Sequence, residues 1–198
     1  MIDLTPFCAA VFHEDLSEPF GDDIYTYATN GHIIVRVAAV AGAKKEFPLK
    51  MKEAVGSIMF IPDYDGAWGP IPHYDPPKKR PCHHCKGTGK STGCDDCDGA
   101  GIIEFSKGWH DYKVECKECR GEGMVPGGEK NCGTCDGSCE VYDDIHAGVK
   151  IGNVKLSMKL IDKINALPGA ELYLPAPESG MVNFRFDGGV GIAMKMVE

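Results

Sequence analysis

The sequence predicts an α+β domain that is discontinuous, split by an inserted cysteine-rich module of tight turns. Three observations predict it. Helical and strand periodicities occur on both sides of the middle of the chain, and neither side alone has enough of them for a comfortable core. Six prolines, at positions 62, 70, 72, 76, 77 and 81, separate the first side from the middle. The middle itself holds four C-x-x-C pairs, which take eight of the ten cysteines, among many glycines and few apolar residues. The expected boundaries are 1–80 together with 140–198 for the α+β domain, and 81–139 for the insert.

On the first side, Thr5 and Pro6 suit the cap and first turn of a short helix carrying Phe7, Ala10 and Val11, with Glu14 beyond. Ile24–Thr29 and His32–Val40 read as strands joined at Asn30-Gly31, a dipeptide suited to a tight turn. A helix over Leu49–Val55 and a strand over Ile58–Ile61 follow. The proline-dense stretch then excludes helix and central strand and predicts an extended connector. Regular patterning resumes near Val149. Ser157 caps a helix whose apolar face is Leu160, Ile161, Ile164 and Leu167, ended by Pro168-Gly169. Glu171–Leu174 reads as a strand. Met181–Phe186 and Val190–Val197 read as a hairpin, with Val190, Ile192, Met194 and Met196 on one half-buried face.

Composition is that of an ordinary globular chain, 43% hydrophobic and 25% charged over 198 residues. No apolar run is long enough to span a bilayer. The opening MIDLTPFCAA lacks a basic stretch followed by a long apolar run. No signal peptide or membrane partner is therefore expected, and the expected location is the cytoplasm. Formal net charge is −8. Residues 78–139 hold ten basic and ten acidic side chains, so the flanks carry all of the excess negative charge. That balance disfavours non-specific nucleic-acid binding, which relies on Lys and Arg displacing counterions.

The cysteine pairs form an internal repeat, C-x-x-C-x-G-x-G. It reads CHHCKGTG from Cys82, CDDCDGAG from Cys94, CKECRGEG from Cys116 and CGTCDGSC from Cys132. Two intervening residues let both sulfurs of a tight turn reach one tetrahedral ion at about 2.3 Å. The glycines let backbone amides approach the thiolates and allow positive φ after the second cysteine. In a cytosolic chain this spacing points to zinc rather than disulfides. Two such knuckles complete one four-sulfur site, so four knuckles hold two zinc ions. A closed shell of four thiolates leaves no position for water or substrate, so both ions are expected to be structural. A lone C-x-x-C pair would equally suit a dithiol oxidoreductase; four copies with trailing glycines favour zinc.

The fourfold repeat with its longer middle gap resembles the cysteine-rich domain of DnaJ-type chaperones, over about 60 of the 198 residues. The resemblance implies that the first knuckle pairs with the fourth and the second with the third. The first site would then be Cys82, Cys85, Cys132 and Cys135, and the second Cys94, Cys97, Cys116 and Cys119. It also implies a β-hairpin over Ile102–Val114, turning at Lys107-Gly108, between the inner knuckles. One position departs from the family. The fourth repeat ends in Cys139 where the family has glycine, so Cys139 is either a spare thiol or a substitute ligand for Cys132 or Cys135. His83 and His84 lie between ligands; they are either further ligands or exposed turn residues, and the second is expected. Cys8 is expected to be a small core residue. The His-Pro-Asp tripeptide of a J domain does not occur; the nearest string, Pro72-His73-Tyr74-Asp75, does not match. Stimulation of a chaperone ATPase by that route is not expected.

The flanks are similar, over shorter strings, to a bacterial DNA sliding-clamp domain. The strings are ATNGHIIVRV from Ala28 to Val37, then ALPG, LPAPESGMVNFRF and GIAMKMVE near the end, with Lys195 where a clamp has proline. That likeness implies a ring-like oligomer around DNA, with Lys155, Lys159 and Lys163, spaced by four, on one helix face. The alternative for those lysines is a solvated face. Three functions compete. The first is a non-enzymatic binding protein whose zinc module holds a polypeptide, including unfolded polypeptide, and it is the reading the repeats favour. The second is an oligomeric, clamp-related replication factor that contacts DNA, in keeping with a phage-like origin. The third is a thiol–disulfide oxidoreductase that uses a labile knuckle and Cys139. No catalytic set stands out.

Overall fold

The computed structural model describes residues 2–9, 16–44, 47, 68–144, 146–174 and 181–196. The chain divides into two compact units, residues 1–78 with 144–198, and residues 79–143. The described residues are mostly β, with a single α-helix. The α+β character expected from the sequence is therefore reduced to one helix among strands. Part of the reason lies at the start of the chain. Thr5–Phe7 closes a 3-10 turn whose cap position is Leu4, with no side-chain acceptor. Thr5 does not cap; its own N–H donates to the Asp3 carboxylate at 2.9 Å. The rest of that expected helix, the helix over Leu49–Val55 and the strand over Ile58–Ile61 lie outside the described residues.

Strands β1 (Phe20–Gly21), β2 (Tyr25–Thr29) and β3 (Ile33–Ala38) follow. β2 and β3 form the expected hairpin, but three residues, Asn30, Gly31 and His32, separate the strands rather than two. Asn30 Oδ1 accepts from the N–H groups of His32 and Ile33 at 3.0 and 3.2 Å, and Gly31 supplies the positive φ of 89°. β4 (Trp68–Pro70) interrupts the expected connector. It sits at the edge of a sheet, the one place where a strand accommodates Pro70.

The second unit carries β5 (Lys79–Pro81), β6 (Lys90–Gly93), β7 (Ile102–Lys107), β8 (His110–Glu115), β9 (Met124–Pro126), β10 (Lys130–Asn131) and β11 (Glu140–Tyr142). β5 pairs with β11 and closes the base of the unit. β10, β6 and β9 form a small sheet, and β7 pairs with β8 alone. The only large buried side chains among its described residues are the eight paired cysteines and Met124. A hydrophobic core is thus nearly absent.

β12 (Gly148–Ile151) and β13 (Val154–Ser157) form a hairpin that periodicity did not predict. Val149, Ile151, Val154 and Leu156 alternate into the interior, and Gly152-Asn153 make the turn. The helix α1 spans Met158–Asn165, with Ser157 Oγ accepting from the Leu160 N–H at 3.3 Å as expected of a cap. Lys155 therefore lies in β13, and the three lysines do not share a helix face. Lys163 donates to the Pro6 carbonyl at 2.6 Å.

β14 (Glu171–Tyr173), β15 (Met181–Phe186) and β16 (Gly189–Met194) complete an antiparallel sheet of seven strands in the order β1-β2-β3-β16-β15-β14-β4. Phe20, Tyr27, Ile34, Ile192 and Leu16 form a core cluster on one face of the sheet. Ile33, Val35, Val182, Phe184 and Ala193 are buried on the other. The single buried face expected for β16 is corrected by its central place. Gly191 and Ala193 are buried as well as Ile192, while Met194 is half-exposed. Gly191 is required there, because a Cβ would meet the Phe184 ring at 2.0 Å.

Candidate metal centre

The four knuckles fold alike. In the first three, the N–H of the first glycine donates to the carbonyl of the first cysteine, at 3.0–3.1 Å. The residue after the second cysteine takes positive φ in all four, at Lys86, Asp98, Arg120 and Asp136, with values of 50–53°. The glycine that follows is also left-handed. The glycines take positive φ after the second cysteine as expected, but they are not the first residues to do so. A non-glycine residue enters that region first, held by the turn.

Knuckles then pair by backbone exchange. Cys82 N–H donates to the Cys139 carbonyl and Cys132 N–H to the Gly89 carbonyl, each at 2.8 Å. Cys94 N–H donates to Gly123 and Cys116 N–H to Gly101, each at 2.9 Å. The last glycines make this closeness feasible. A Cβ on Gly101 would lie 2.2 Å from the Gly121 oxygen, and one on Gly123 would lie 2.2 Å from the Gly99 oxygen.

The outcome is two buried groups of four thiols, Cys82, Cys85, Cys132 and Cys135 in one, and Cys94, Cys97, Cys116 and Cys119 in the other. Within each group all sulfurs lie within 4.8 Å of one another. Across each knuckle pair the Sγ atoms are 3.7–4.0 Å apart. Four sulfurs placed tetrahedrally about zinc at about 2.3 Å stand about 3.8 Å from one another. The donor set and its spacing therefore fit zinc, and each cluster is able to hold one ion.

Outer contacts support the same chemistry. The N–H groups of Gly89, Gly101 and Gly123 each point at the second cysteine of their own knuckle, at 3.2 Å from Sγ. Such donors stabilise a metal-bound thiolate. In the fourth knuckle the backbone of Cys139 takes this place beside Cys135. Without metal, burial pushes the Cys94 and Cys135 thiols up to about 12. Burial acts the same way at Cys85, but the Gly89 N–H and the thiols of Cys135 and Cys82 outweigh it and hold Cys85 down at about 7. The protons that burial keeps on Cys94 and Cys135 leave when a cation binds. Zinc binding releases protons, so affinity falls as pH falls.

Cys139 lies in neither thiol cluster. Its Sγ is 3.7 Å from the Gly137 carbonyl, and its φ is +69°. It keeps the glycine conformation and the glycine N–H, so its thiol is surplus to the site. Cys139→Gly is expected to retain two zinc ions and to gain about 1 kcal/mol from relief of the left-handed strain. Native mass spectrometry and thermal melting check this; loss of one zinc would make the thiol a ligand.

His84 departs from expectation. Its side chain is 7% exposed, and Nδ1 contacts Glu122 Oε2 in the third knuckle, while exposed His83 reaches Oε1 of the same carboxylate at 3.8 Å. These contacts link a knuckle of the first site to a knuckle of the second. Cys8, by contrast, is buried as expected, and burial pushes its thiol up to about 11.

Comparison with known proteins agrees with the geometry. The chain is 33% identical over 122 residues to the chaperone protein DnaJ of Nitratidesulfovibrio vulgaris strain DP4, covering 57% of this chain and 32% of that protein. It is 43% identical over 54 residues to the chaperone protein DnaJ of strain Miyazaki F, covering 25% of this chain and 14% of that protein. It is 28% identical over 110 residues to the chaperone protein DnaJ of Paramagnetospirillum magneticum, covering 50% of this chain and 28% of that protein. The chain spans about a third or less of the length of these relatives. No family model matches the chain, and no solved structure matches it significantly. The sliding-clamp likeness of the flanks gains no support. Among the described residues no helix is long and apolar enough to cross a membrane. Similarity over half the chain and two four-cysteine clusters together fit a DnaJ-type cysteine-rich, zinc-binding region.

Proposed function

We propose that this chain is a non-enzymatic, cytoplasmic binding protein whose residues 79–143 form a zinc-held scaffold for a polypeptide partner. The observation that carries the proposal is the closure of both sites. Each holds four buried thiols at tetrahedral spacing, which leaves a bound zinc no position for water or substrate. Zinc then shapes a surface instead of performing chemistry. The similarity to chaperone proteins named DnaJ supports a polypeptide as what that surface meets. No observation favours DNA, a clamp-like ring or thiol–disulfide exchange. Eight thiols stand in the two buried clusters able to hold zinc, and Cys8 is buried with its pKa raised.

The test is suppression of aggregation of a chemically denatured client by the zinc-loaded chain. Protection that disappears when zinc is removed is the expected result. Absence of protection, together with no retention of the denatured client on immobilised zinc-loaded chain, would contradict the reading.

A further inference from the structure

Strands β7 and β8 form a two-stranded ribbon between the second and third knuckles. Of nine large hydrophobic side chains exposed among the described residues, six belong to this ribbon, namely Ile102, Ile103, Phe105, Trp109, Tyr112 and Val114. Such concentration is unlike the scattered apolar residues of an ordinary surface. The register sorts them. Ile103 stands opposite Val114, Phe105 opposite Tyr112, and Lys107 opposite His110, all on one face. The other face carries Ile102, Glu104, Ser106, Asp111, Lys113 and Glu115.

The charged face is satisfied within itself. Lys113 pairs with Glu104 at 2.6 Å, and Ser106 donates to Asp111 at 2.6 Å. The apolar face is not. Phe105 and Tyr112 stack at 5.2 Å between centroids, yet remain 47% and 43% exposed, and Trp109 at the tip is 102% exposed. Both outer edges of the ribbon are open among the described residues, where neither strand has a second neighbour. A lone two-stranded ribbon is marginal in water and gains from a third strand and a covered face. Here its root is held by the second zinc site, where Cys116 N–H donates to Gly101 at 2.9 Å. The ribbon is therefore ordered before any partner arrives, which lowers the entropic cost of binding.

We propose that this ribbon is the docking surface for an extended polypeptide segment, which adds as a third strand along an open edge and lays alternate apolar side chains against Ile103, Phe105, Tyr112 and Val114. The assignment rests on the polypeptide-binding reading above and names its site. Charge specifies the segment further. Lys107 and His110 end the apolar face at the tip, and every acidic residue of the ribbon is on the opposite face. A segment with a carboxylate beside its apolar residues is complementary. A second copy of the chain fits less well. At about 200 Å² for a fully exposed aromatic, the face with Trp109 offers on the order of 500 Å², short of the roughly 800 Å² per partner of a stable interface. Nucleic acid fits less well too, because residues 102–115 carry two lysines against three acids and each thiolate-bound zinc adds negative charge.

The experiment uses the full, zinc-loaded chain with Trp68→Phe, leaving Trp109 as the only tryptophan. The probe is a short peptide alternating valine with threonine and carrying one glutamate. Binding is expected as a saturable blue shift of Trp109 emission. Phe105→Ser with Tyr112→Ser is expected to weaken it about tenfold or more, with two zinc ions still bound by native mass spectrometry. Glu104→Gln with Lys113→Gln, on the other face, is expected to leave it unchanged. A probe with its glutamate replaced by lysine, or with alternate amides N-methylated along one edge, is expected to bind more weakly. Equal binding by the Phe105/Tyr112 variant or by the N-methylated probe would overturn the proposal. So would a dimer dissolved by those substitutions, or tighter binding of a single-stranded oligonucleotide. Client protection that survives the Phe105/Tyr112 substitutions sinks this site alone. Lack of protection by the unsubstituted chain sinks the underlying reading.

Discussion

Removing zinc from this chain is expected to unfold residues 79–143 while the seven-stranded unit keeps its structure. The second unit has almost nothing else to hold it. Among its described residues Met124 is the one large buried side chain that is not a paired cysteine, and burying it is worth about 1.5–3 kcal/mol. A structural zinc in a thiolate site contributes on the order of 10 kcal/mol or more to folding. Against the backbone entropy of ordering tens of residues, at about 1–2 kcal/mol each, only the metal is of the right size. The other unit has an ordinary core, with Phe20, Tyr27, Phe184, Leu172, Ile161 and Ile164 all essentially inaccessible, and no metal-binding cluster lies among its described residues. Hydrogen exchange read by mass spectrometry, with and without a strong chelator, separates the two. Protection is expected to vanish across 82–139 and to persist across 181–194. Protection that persists across the knuckles after native mass spectrometry shows the zinc gone would contradict this.

Gly123→Ala is expected to weaken zinc at the second site and leave the first unchanged. A methyl group is the smallest change available, yet Gly123 sits at φ +73° and its Cβ would lie 2.2 Å from the Gly99 oxygen. The left-handed conformation alone costs about 1–2 kcal/mol. The oxygen belongs to backbone, so it cannot swing aside like a side chain. Relief requires the second and third knuckles to separate, and the Cys94 N–H to Gly123 bond at 2.9 Å and the Gly123 N–H to Cys119 Sγ contact at 3.2 Å go with it. At least about 2 kcal/mol of site stability is at stake, roughly thirtyfold in zinc affinity. Gly93→Ala is the control. A Cβ on Gly93 would meet no atom within 4 Å, and its backbone is not left-handed. Competition with a chromophoric chelator is expected to find one weakened zinc in Gly123→Ala and two unchanged in Gly93→Ala. Two unchanged zinc ions in both would show that the close glycine contact carries no energy.

The metal ligands were legible because coordination imposes a local spacing. C-x-x-C is written in four consecutive residues and needs no knowledge of the rest of the fold. Which knuckle meets which is a long-range fact, and there the resemblance to a family supplied what spacing could not. The β7–β8 ribbon was legible through the same resemblance, which implied a hairpin between the inner knuckles. What escaped detection depends on neighbours. The role of Cys139 lies in its N–H and its backbone conformation, neither of which a side-chain pattern reports. His84 is buried because Glu122, 38 positions further on, reaches it. The β12–β13 hairpin was hidden because its alternation runs directly into the helix of Met158–Asn165, and only Gly152-Asn153 marks the turn. For β16, one-sided periodicity assumed an outward face, whereas β3 and β15 on either side make it central.

The central claim is that two zinc ions are held by the first knuckle with the fourth and by the second with the third. Cadmium-113 NMR of the cadmium-substituted chain tests it most directly, because each four-thiolate site gives its own resonance. Two resonances are predicted, with Cys82→Ser and Cys132→Ser shifting or removing the same one, and Cys94→Ser and Cys116→Ser the other. A single resonance, or Cys82→Ser and Cys94→Ser acting on the same signal, would contradict the account.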